Sequence, residues 1–281
     1  MTITASFLLG GKLSVRRLGY GTMQLTGPGV WGEPDDPAEA VRVLRRAVEL
    51  GVTFLDTADS YGPVVAEQLI KKALHPYADN LVIATKAGFA RTGPGQWRPL
   101  GRPEYLRQQT ELSLHNLGVD RIHLQQLHRV DPTVPLADQV GELKLLQDEG
   151  KIAHIGLSEV DIKQLEEARQ VAEIVSVQNM YNLTTRRSEA LLDHVEQAGI
   201  AFIPWFPLAT GKLAGPGSAL GAFAANHNAT PSQLALAWLL RRSPVMLPIP
   251  GTSTVKHVED NIAAADVELT DEEFATLSAL G

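Results

Sequence analysis

The chain has 281 residues, 44% of them apolar, with a formal net charge of −7 and no cysteine. Without cysteine there are no disulfides or thiolate metal ligands, and the scattered positive charges offer no track for nucleic acid, so we expect no metal site and no nucleic-acid partner. No segment reaches the ~20 apolar residues of a membrane span and no basic leader opens the chain, so we expect a cytoplasmic protein that does not bind membranes.

Short apolar runs alternate with longer amphipathic stretches along the chain. The eight runs that predict strands are 17–21, 52–56, 81–86, 122–128, 152–158, 174–178, 201–205 and 245–250. The stretches between them carry apolar residues at helical spacing, as at Val41, Leu44 and Val48, and several end in glycine. This repeated alternation predicts an α/β fold, a parallel (β/α)8 TIM barrel that forms a single domain over residues 1–281.

Both ends of the chain predict an element outside this repeat. SFLL and LSV flank a Gly-Gly pair, which predicts an N-terminal β-hairpin that caps the barrel floor. Thr270 and Glu273 form a capping-box pattern that predicts a short C-terminal helix. An open doubly wound sheet is the rival fold, but LGYGT after the first run lacks the G-x-G-x-x-G spacing of its phosphate loop. RTGPGQWRPLG and GPGSALG predict loops.

Polar residues end three successive apolar runs and point to a chemical site. Asp56, Lys86 and His128 close VTFLD, LVIATK and IHLQQLH, and Tyr61 follows Asp56 in DTADSYG. The carboxyl ends of barrel strands meet at one rim, so these residues are expected to converge there. Lys86 beside Asp56 would stay charged and would lower the pKa of Tyr61 from ~10 toward the working pH.

A tyrosine tuned in this way can protonate a developing alkoxide, and His128 can hydrogen-bond the same oxygen. The set offers an acid and a stabiliser but no nucleophile, which favours hydride addition to a carbonyl. Two other interpretations stay open. Asp56 and Lys86 could be a structural buried pair, and Lys86 could form a Schiff base as in barrel aldolases.

The segments GVTFLDTADSYG, LVIATKAG, LQQLHRVDP and KIAHIGLSEV resemble, in this order, those of the aldo-keto reductase superfamily, and the agreement covers essentially the whole chain. The resemblance implies a catalytic tetrad of Asp56, Tyr61 as general acid, Lys86 and His128. It implies an oxidoreductase that reduces aldehydes or ketones to alcohols with NADPH, with NADH as the alternative cofactor. It also implies a small-molecule carbonyl partner and a monomer. A regulatory, cofactor-binding protein with little turnover is the alternative within this superfamily.

The resemblance further implies a cofactor site across the barrel mouth. Ser158 and Gln178 match residues that hold the nicotinamide carboxamide, Trp205 matches a ring that stacks on the nicotinamide, and Glu159 stands where the better-known branch has Asn. The implied cofactor-binding set is Gly21, Thr22, Met23, Asp56, Ser158, Gln178, Trp205, Phe206, Pro207, Leu208, Gly211, Lys212, Gly251, Thr252, Ser253, His257, Asp260 and Asn261.

The adenosine end of this site is predicted at PGTSTVKHVEDN, a strand-to-helix junction whose backbone amides favour anions. One branch of the superfamily has Lys and Arg where this chain has Gly251 and His257, so Lys256 and His257 are the remaining cations. The segment still resembles branches that use NADPH. The walls of an apolar substrate pocket are expected from Met23, Trp31, Phe89, Trp97 and Trp205.

Overall fold

The computed structural model describes residues 6–208, 219–225, 227 and 229–280. The strands are β1 Ser6–Leu9, β2 Leu13–Arg16, β3 Tyr20–Gly21, β4 Phe54–Asp56, β5 Val82–Ala87, β6 Phe89–Gly93, β7 Gln96–Pro99, β8 Ile122–Leu127, β9 Ile152–Ser158, β10 Ile174–Met180 and β11 Ala201–Trp205. The helices are α1 Pro37–Glu49, α2 Val65–Leu74, α3 Pro103–Leu117, α4 Leu136–Asp148, α5 Ile162–Arg169, α6 Glu189–Gln197, α7 Ala219–Ala225, α8 Pro231–Arg242, α9 Val255–Ile262 and α10 Asp271–Ser278.

Seven parallel strands form a curled sheet in the order β11-β10-β9-β8-β5-β4-β3. The segment 245–250 closes this sheet between β11 and β3. Phe202 N donates to Val245 O (2.9 Å), and Gly19 N donates to Pro248 O (2.9 Å) on the other side. The predicted (β/α)8 barrel is therefore confirmed. The prediction of a regular eighth strand is wrong in detail, because Pro248 and Pro250 lack the backbone donors that a ladder needs.

The predicted N-terminal hairpin lies across the floor of the barrel. β1 and β2 pair antiparallel, and Leu9 and Val15 pack against Phe54 and Val82 at the amino ends of barrel strands. The approach is close, because a Cβ on Gly10 would lie 2.5 Å from the His154 ring. The opposite end of the barrel is therefore the end that can admit a ligand.

A second hairpin was not predicted from the sequence. Residues 91–101 were expected to form a loop, but β6 and β7 pair antiparallel across the turn at Gly95, whose φ is +67°. Arg91 stands opposite Trp97, and its guanidinium carbon lies 3.6 Å from the centre of the indole ring. This cation–π contact gives a short two-stranded ribbon the packing that its sequence pattern alone does not reveal. Likewise α7 begins at Ala219, inside the second predicted loop.

Several helix ends follow the capping signals in the sequence. Asp36 accepts hydrogen bonds from Ala38 N and Glu39 N at the start of α1. Thr270 and Glu273 form the predicted capping box of α10, which confirms the short C-terminal helix. No helix in the described ranges is long and apolar enough to cross a membrane.

Candidate active site

Three strands bring polar side chains to one end of the barrel, which we call the rim. Asp56 ends β4, Lys86 lies near the end of β5, and His128 directly follows β8. Lys86 Nζ donates to Asp56 Oδ2 (2.5 Å), to Thr57 O (2.8 Å) and to the Tyr61 hydroxyl (3.2 Å). The side chains of Lys86 and Asp56 are 0% and 2% exposed. The structure therefore joins Asp56, Lys86 and Tyr61 into one buried polar group, and the His128 ring packs edge-on against Tyr61 with the ring centres 5.9 Å apart.

The second carboxylate oxygen of Asp56 is held from the opposite side. Gln178 Nε2 donates to Asp56 Oδ1 over 2.8 Å, and Gln126 Nε2 donates to the same oxygen over 3.1 Å. Sequence reasoning missed Gln126, although strand alternation places it on the same face as His128 two residues later. Asp56 thus accepts an ammonium on one oxygen and two amides on the other, which fixes the direction in which Lys86 points.

His128 is the most strongly perturbed histidine at the rim. Burial, followed by the positive charges of Lys86, Arg129 and Arg91, holds the pKa of His128 well below its usual range, so the ring is a neutral imidazole. Ser60 Oγ lies 3.2 Å from His128 Nδ1. Because Ser60 occupies Nδ1, Nε2 is the ring nitrogen left to contact a ligand.

The electrostatics of Tyr61 differ from the sequence expectation. Burial raises the pKa of Tyr61, and the charge and hydrogen bond of Lys86 oppose this shift without reversing it. Burial also disfavours the Lys86 ammonium, but Asp56 and Tyr61 outweigh it, and the pKa of Lys86 is raised. The expectation that the Tyr61 pKa is lowered is therefore wrong. Tyr61 is a neutral phenol beside a permanent cation.

The residues expected at the nicotinamide end lie on successive strands of the same rim. Ser158 ends β9, Gln178 lies on β10 and Trp205 ends β11. Glu159 has a positive φ of 55°, a conformation that suits Asn better than Glu. Its carboxylate accepts from Trp205 Nε1 (2.8 Å) and from Met180 N (2.7 Å). Glu159 therefore fixes the indole ring, a role that the departure from Asn did not reveal.

Three residues of the implied cofactor-binding set directly follow β11, namely Phe206, Pro207 and Leu208. Asn182 Nδ2 donates to Phe206 O over 3.1 Å and anchors the start of this loop. Phe206 has a φ of +62°, and Pro207 is buried. Gly211 and Lys212, which belong to the implied cofactor-binding set, lie outside the described residues.

The predicted adenosine end begins where the closing segment meets α9. A Cβ on Gly251 would lie 2.8 Å from Gly21 O, so the backbones approach too closely for a lysine at this position without a shift. Thr252 is buried, and its carbonyl accepts from the Tyr20 hydroxyl (2.5 Å).

The start of α9 already has polar partners. Thr254 caps the helix by accepting from His257 N (3.4 Å), and Glu39 Oε1 accepts from Val255 N (3.1 Å). Ser253, Lys256 and His257 are exposed, Asp260 is half-buried and Asn261 is buried. The expected residues are therefore adjacent, but a carboxylate from α1 lies among them.

Aromatic side chains form a wall beside Tyr61 and His128. The Phe89 ring centre lies 4.6 Å from that of His128, and the Trp97 ring centre lies 6.4 Å from that of Tyr61. Both aromatic residues belong to the β6–β7 hairpin. Trp31 packs on the other side of the hairpin's arginine, with its ring centre 5.7 Å from the Arg91 guanidinium carbon. Met23 is 36% exposed. The structure thus brings Phe89 and Trp97, rather than all five expected pocket residues, against the polar group.

Comparison with known proteins decides the family. The family model described as "Aldo/keto reductase family" matches residues 17–281. The chain belongs to the aldo/keto reductase family. An uncharacterized oxidoreductase of Schizosaccharomyces pombe is 51% identical over 96% of this chain and 88% of that protein, and Escherichia coli pyridoxine 4-dehydrogenase is 45% identical over 98% of both chains. This reductase chain is therefore an oxidoreductase by family, as the resemblance implied.

Solved structures give the same result for the fold. A glycerol dehydrogenase of Gluconobacter oxydans superposes with a TM-score of 0.90 at 25% identity over 100% of this chain and 95% of that chain. An aldo-keto reductase of Klebsiella pneumoniae, solved in complex with NADPH, has a TM-score of 0.84 at 28% identity over 98% of this chain and 94% of that chain.

Two arginines at the rim were not singled out from the sequence. The Arg91 guanidinium donates to Val30 O (2.9 Å), Ser60 O (2.6 Å) and Gly29 O (2.9 Å), and so ties the β6–β7 hairpin to the loops after β3 and β4. Arg129 Nη1 donates to Ser158 Oγ (3.0 Å) and to His128 O (2.7 Å). The position of Arg129 directly after His128 in LHRVDP was the available signal.

Proposed function

We propose that this chain reduces aldehydes or ketones to alcohols with NADPH, and that Tyr61 supplies the proton. The observation that carries the proposal is the Tyr61 hydroxyl lying 3.2 Å from the buried Lys86 ammonium, beside a neutral His128. A bound nicotinamide would supply the hydride. Tyr61 would donate its phenolic proton to the carbonyl oxygen as that oxygen gains negative charge.

The surrounding residues support this proton transfer. Lys86 stabilises the phenolate that Tyr61 leaves behind, since its ammonium already contacts the hydroxyl. Asp56 keeps Lys86 charged and aimed at Tyr61. With Ser60 Oγ donating to Nδ1, the neutral His128 ring carries its proton on Nε2, which donates a hydrogen bond to the same carbonyl oxygen. Burial of the group makes these interactions stronger than they would be in water.

The donors and acceptors at the rim fit a nicotinamide carboxamide. Asp56 holds the amide nitrogen of Gln178, which leaves the amide oxygen of Gln178 to accept from the carboxamide. Ser158 Oγ accepts from Arg129, which leaves its hydrogen to donate. Trp205 presents a flat ring whose indole nitrogen is already satisfied by Glu159. A structural neighbour solved with NADPH supports the phosphorylated cofactor for this chain as well.

The arrangement of Lys86 speaks against the Schiff-base alternative. A lysine nucleophile must be neutral, whereas the pKa of Lys86 is raised by Asp56 and Tyr61 against the effect of burial. Its Nζ also donates three hydrogen bonds within the protein and is not exposed. A regulatory protein with little turnover would not need this acid, and turnover itself distinguishes the two.

The direct test is oxidation of NADPH, and separately of NADH, by a panel of aldehydes, ketones, sugars and pyridoxal. Pyridoxal belongs in the panel because a 45%-identical relative is a pyridoxine 4-dehydrogenase. We expect NADPH-dependent reduction of at least one aromatic aldehyde, because Phe89 and Trp97 flank His128. No cofactor oxidation with any member of the panel would overturn the proposal. Borohydride trapping of a substrate on Lys86 would favour the aldolase.

A further inference from the structure

We propose that Arg129 forms a subsite for a second, negatively charged group of the substrate, a carboxylate or a phenolate carried on the same framework as the carbonyl. This inference rests on the proposed reductase function and names its substrate class. The charged group is distinct from the carbonyl oxygen that Tyr61 and His128 contact. Three observations on the geometry of the rim carry the inference.

The first observation is the position of the guanidinium. Arg129 follows His128 directly, and its guanidinium carbon lies 5.4 Å from the centre of the Phe89 ring and 5.9 Å from the centre of the Trp205 ring. These two aromatic residues were independently expected in the substrate pocket. A ligand that reaches His128 along this wall therefore passes within reach of a positive charge.

The second observation is that Arg129 has no anionic partner of its own. Within the described ranges no carboxylate lies within 4.0 Å of its guanidinium, and both of its hydrogen bonds leave from Nη1. The nearby Glu159 carboxylate is taken by Trp205, Met180 N and Arg187. Partly buried arginines are usually paired with an anion. In the described part of the chain, Nε and Nη2 of Arg129 have no acceptor, so this edge of the guanidinium can donate two hydrogen bonds to a carboxylate.

Arg91 shows what a satisfied arginine at this rim looks like. Its guanidinium donates to backbone carbonyls of Gly29, Val30, Ser60 and Gln96 and stacks on Trp97. Arg91 is thus a structural tie, whereas among the described residues the Arg129 guanidinium donates from Nη1 alone. The contrast assigns anion binding to Arg129 and not to both arginines.

The third observation is the sign of the charge around His128. The charges that lower the pKa of His128 are those of Lys86, Arg129 and Arg91, which are all positive, although the whole chain carries −7, and the Glu159 carboxylate acts on Arg129 at the same rim. Asp56 offsets Lys86 through their direct contact. Three cations this close to His128 favour the binding of a substrate that carries a negative charge.

The test compares 2-, 3- and 4-carboxybenzaldehyde with their methyl esters and with benzaldehyde, with NADPH saturating. We expect wild-type enzyme to have a higher kcat/KM for at least one carboxylate than for its ester, mainly through KM. Arg129→Gln should reduce that carboxylate-to-ester ratio by about 10-fold to 100-fold, and Arg129→Lys by less, because the charge is kept. Arg98→Gln is the matched control, an exposed arginine on the β6–β7 hairpin, and it should leave the ratio unchanged.

Each other outcome has a definite meaning. An equal loss for acid and ester in Arg129→Gln would show that Arg129 acts only by holding Ser158, and the proposal would be wrong. An unchanged ratio with a raised dissociation constant for NADPH, measured by quenching of tryptophan fluorescence, would assign the guanidinium to the cofactor and would also overturn it. Reduction of benzaldehyde without any preference for a carboxylate contradicts this subsite but leaves the proposed function standing. No reduction of any aldehyde contradicts the function itself.

Discussion

The polar group at the rim and the adenosine end of the predicted cofactor site differ in how far their charged side chains are buried. Asp56, Lys86, Gln126 and Gln178 are buried side chains on strands of one sheet, and the last three all donate hydrogen bonds to Asp56. At the start of α9, Lys256 and His257 are exposed, and Glu39 contributes a negative charge to the same helix end. The first region pairs its charges away from water, whereas the cations of the second region face solvent, which screens them.

The two regions should therefore respond differently to mutation. A change within the buried group leaves a desolvated charge without its partner, which costs stability as well as activity. A change at the adenosine end alters only the balance of exposed charges, which salt screens. Mutations in the two regions should therefore differ in both the size and the kind of their effects.

The largest effect is expected for Lys86→Met, which leaves the Asp56 carboxylate buried with two amide donors and no cation. We expect the free energy of unfolding to fall by about 3–5 kcal/mol, measured by urea denaturation, together with loss of turnover. Lys144→Met is the matched control, because Lys144 pairs with Asp148 on the exposed face of α4, and we expect it to cost no more than about 0.5 kcal/mol. Equal losses for the two variants would remove the distinction between the regions.

The pH dependence of turnover tests the buried group without mutation. Reduction requires a protonated Tyr61, whose pKa is raised, and a neutral His128, whose pKa is lowered. We therefore expect kcat for reduction to be flat between about pH 6 and about pH 9, and to fall about tenfold per unit above the Tyr61 pKa. Alcohol oxidation needs the phenolate, so its rate should rise with pH. An acidic limb near pH 6.5 in the reduction profile would mean that His128 titrates in its ordinary range.

A smaller effect is expected from loss of the hydrogen bond between Glu159 and the Trp205 indole nitrogen. Glu159→Gln removes the charge that holds the indole nitrogen and the Arg187 ion pair. We expect the dissociation constant for NADPH to rise about fivefold, the equivalent of one hydrogen bond of about 1 kcal/mol. Tryptophan fluorescence titration measures this. The control is Glu166→Gln, whose carboxylate pairs with Arg169 and His194 on exposed helices. An unchanged dissociation constant in Glu159→Gln, or an equal change in the control, would contradict the role of Glu159 in positioning Trp205.

The smallest effect is expected at the adenosine end. Glu39→Gln keeps a hydrogen-bond acceptor for Val255 N and removes a negative charge from the start of α9. We expect KM for NADPH to fall about twofold to fivefold relative to KM for NADH, and the change to shrink with added salt. Glu49→Gln, at the far end of α1, should leave the ratio of the two KM values as in wild type. An unchanged ratio in Glu39→Gln would place the 2′-phosphate elsewhere.

The sequence predicted the buried region well, and the reason is physical. Strand ends such as Asp56, Lys86 and His128 stand out because a charge that terminates an apolar run has few ways to be satisfied. The barrel, the floor hairpin and the capping box at Thr270 follow from periodicity and turn chemistry, which are local properties. Gln126 could have been added by strand alternation alone.

The features that were not predicted from the sequence depend on contacts between residues that are distant in sequence. The β6–β7 hairpin is stabilised by the contact of Arg91 with Trp97 and with carbonyls of other loops, which no local pattern encodes. Trp205, one of the partners of Glu159, is 46 residues away in sequence. Burial of the phenol raises the pKa of Tyr61 and the nearby Lys86 charge lowers it. Only the packed structure decides which effect is larger.

The central claim is that Tyr61 is the proton donor, and the most direct measurement is the single-turnover rate of aldehyde reduction by NADPH in Tyr61→Phe. The variant keeps the ring that packs edge-on against Trp97 and removes only the hydroxyl. We predict a rate about 10²-fold to 10⁴-fold below wild type, with the dissociation constant for NADPH unchanged within about twofold. A rate within about threefold of wild type would contradict the assignment of the acid and, with it, the mechanism built on the buried group.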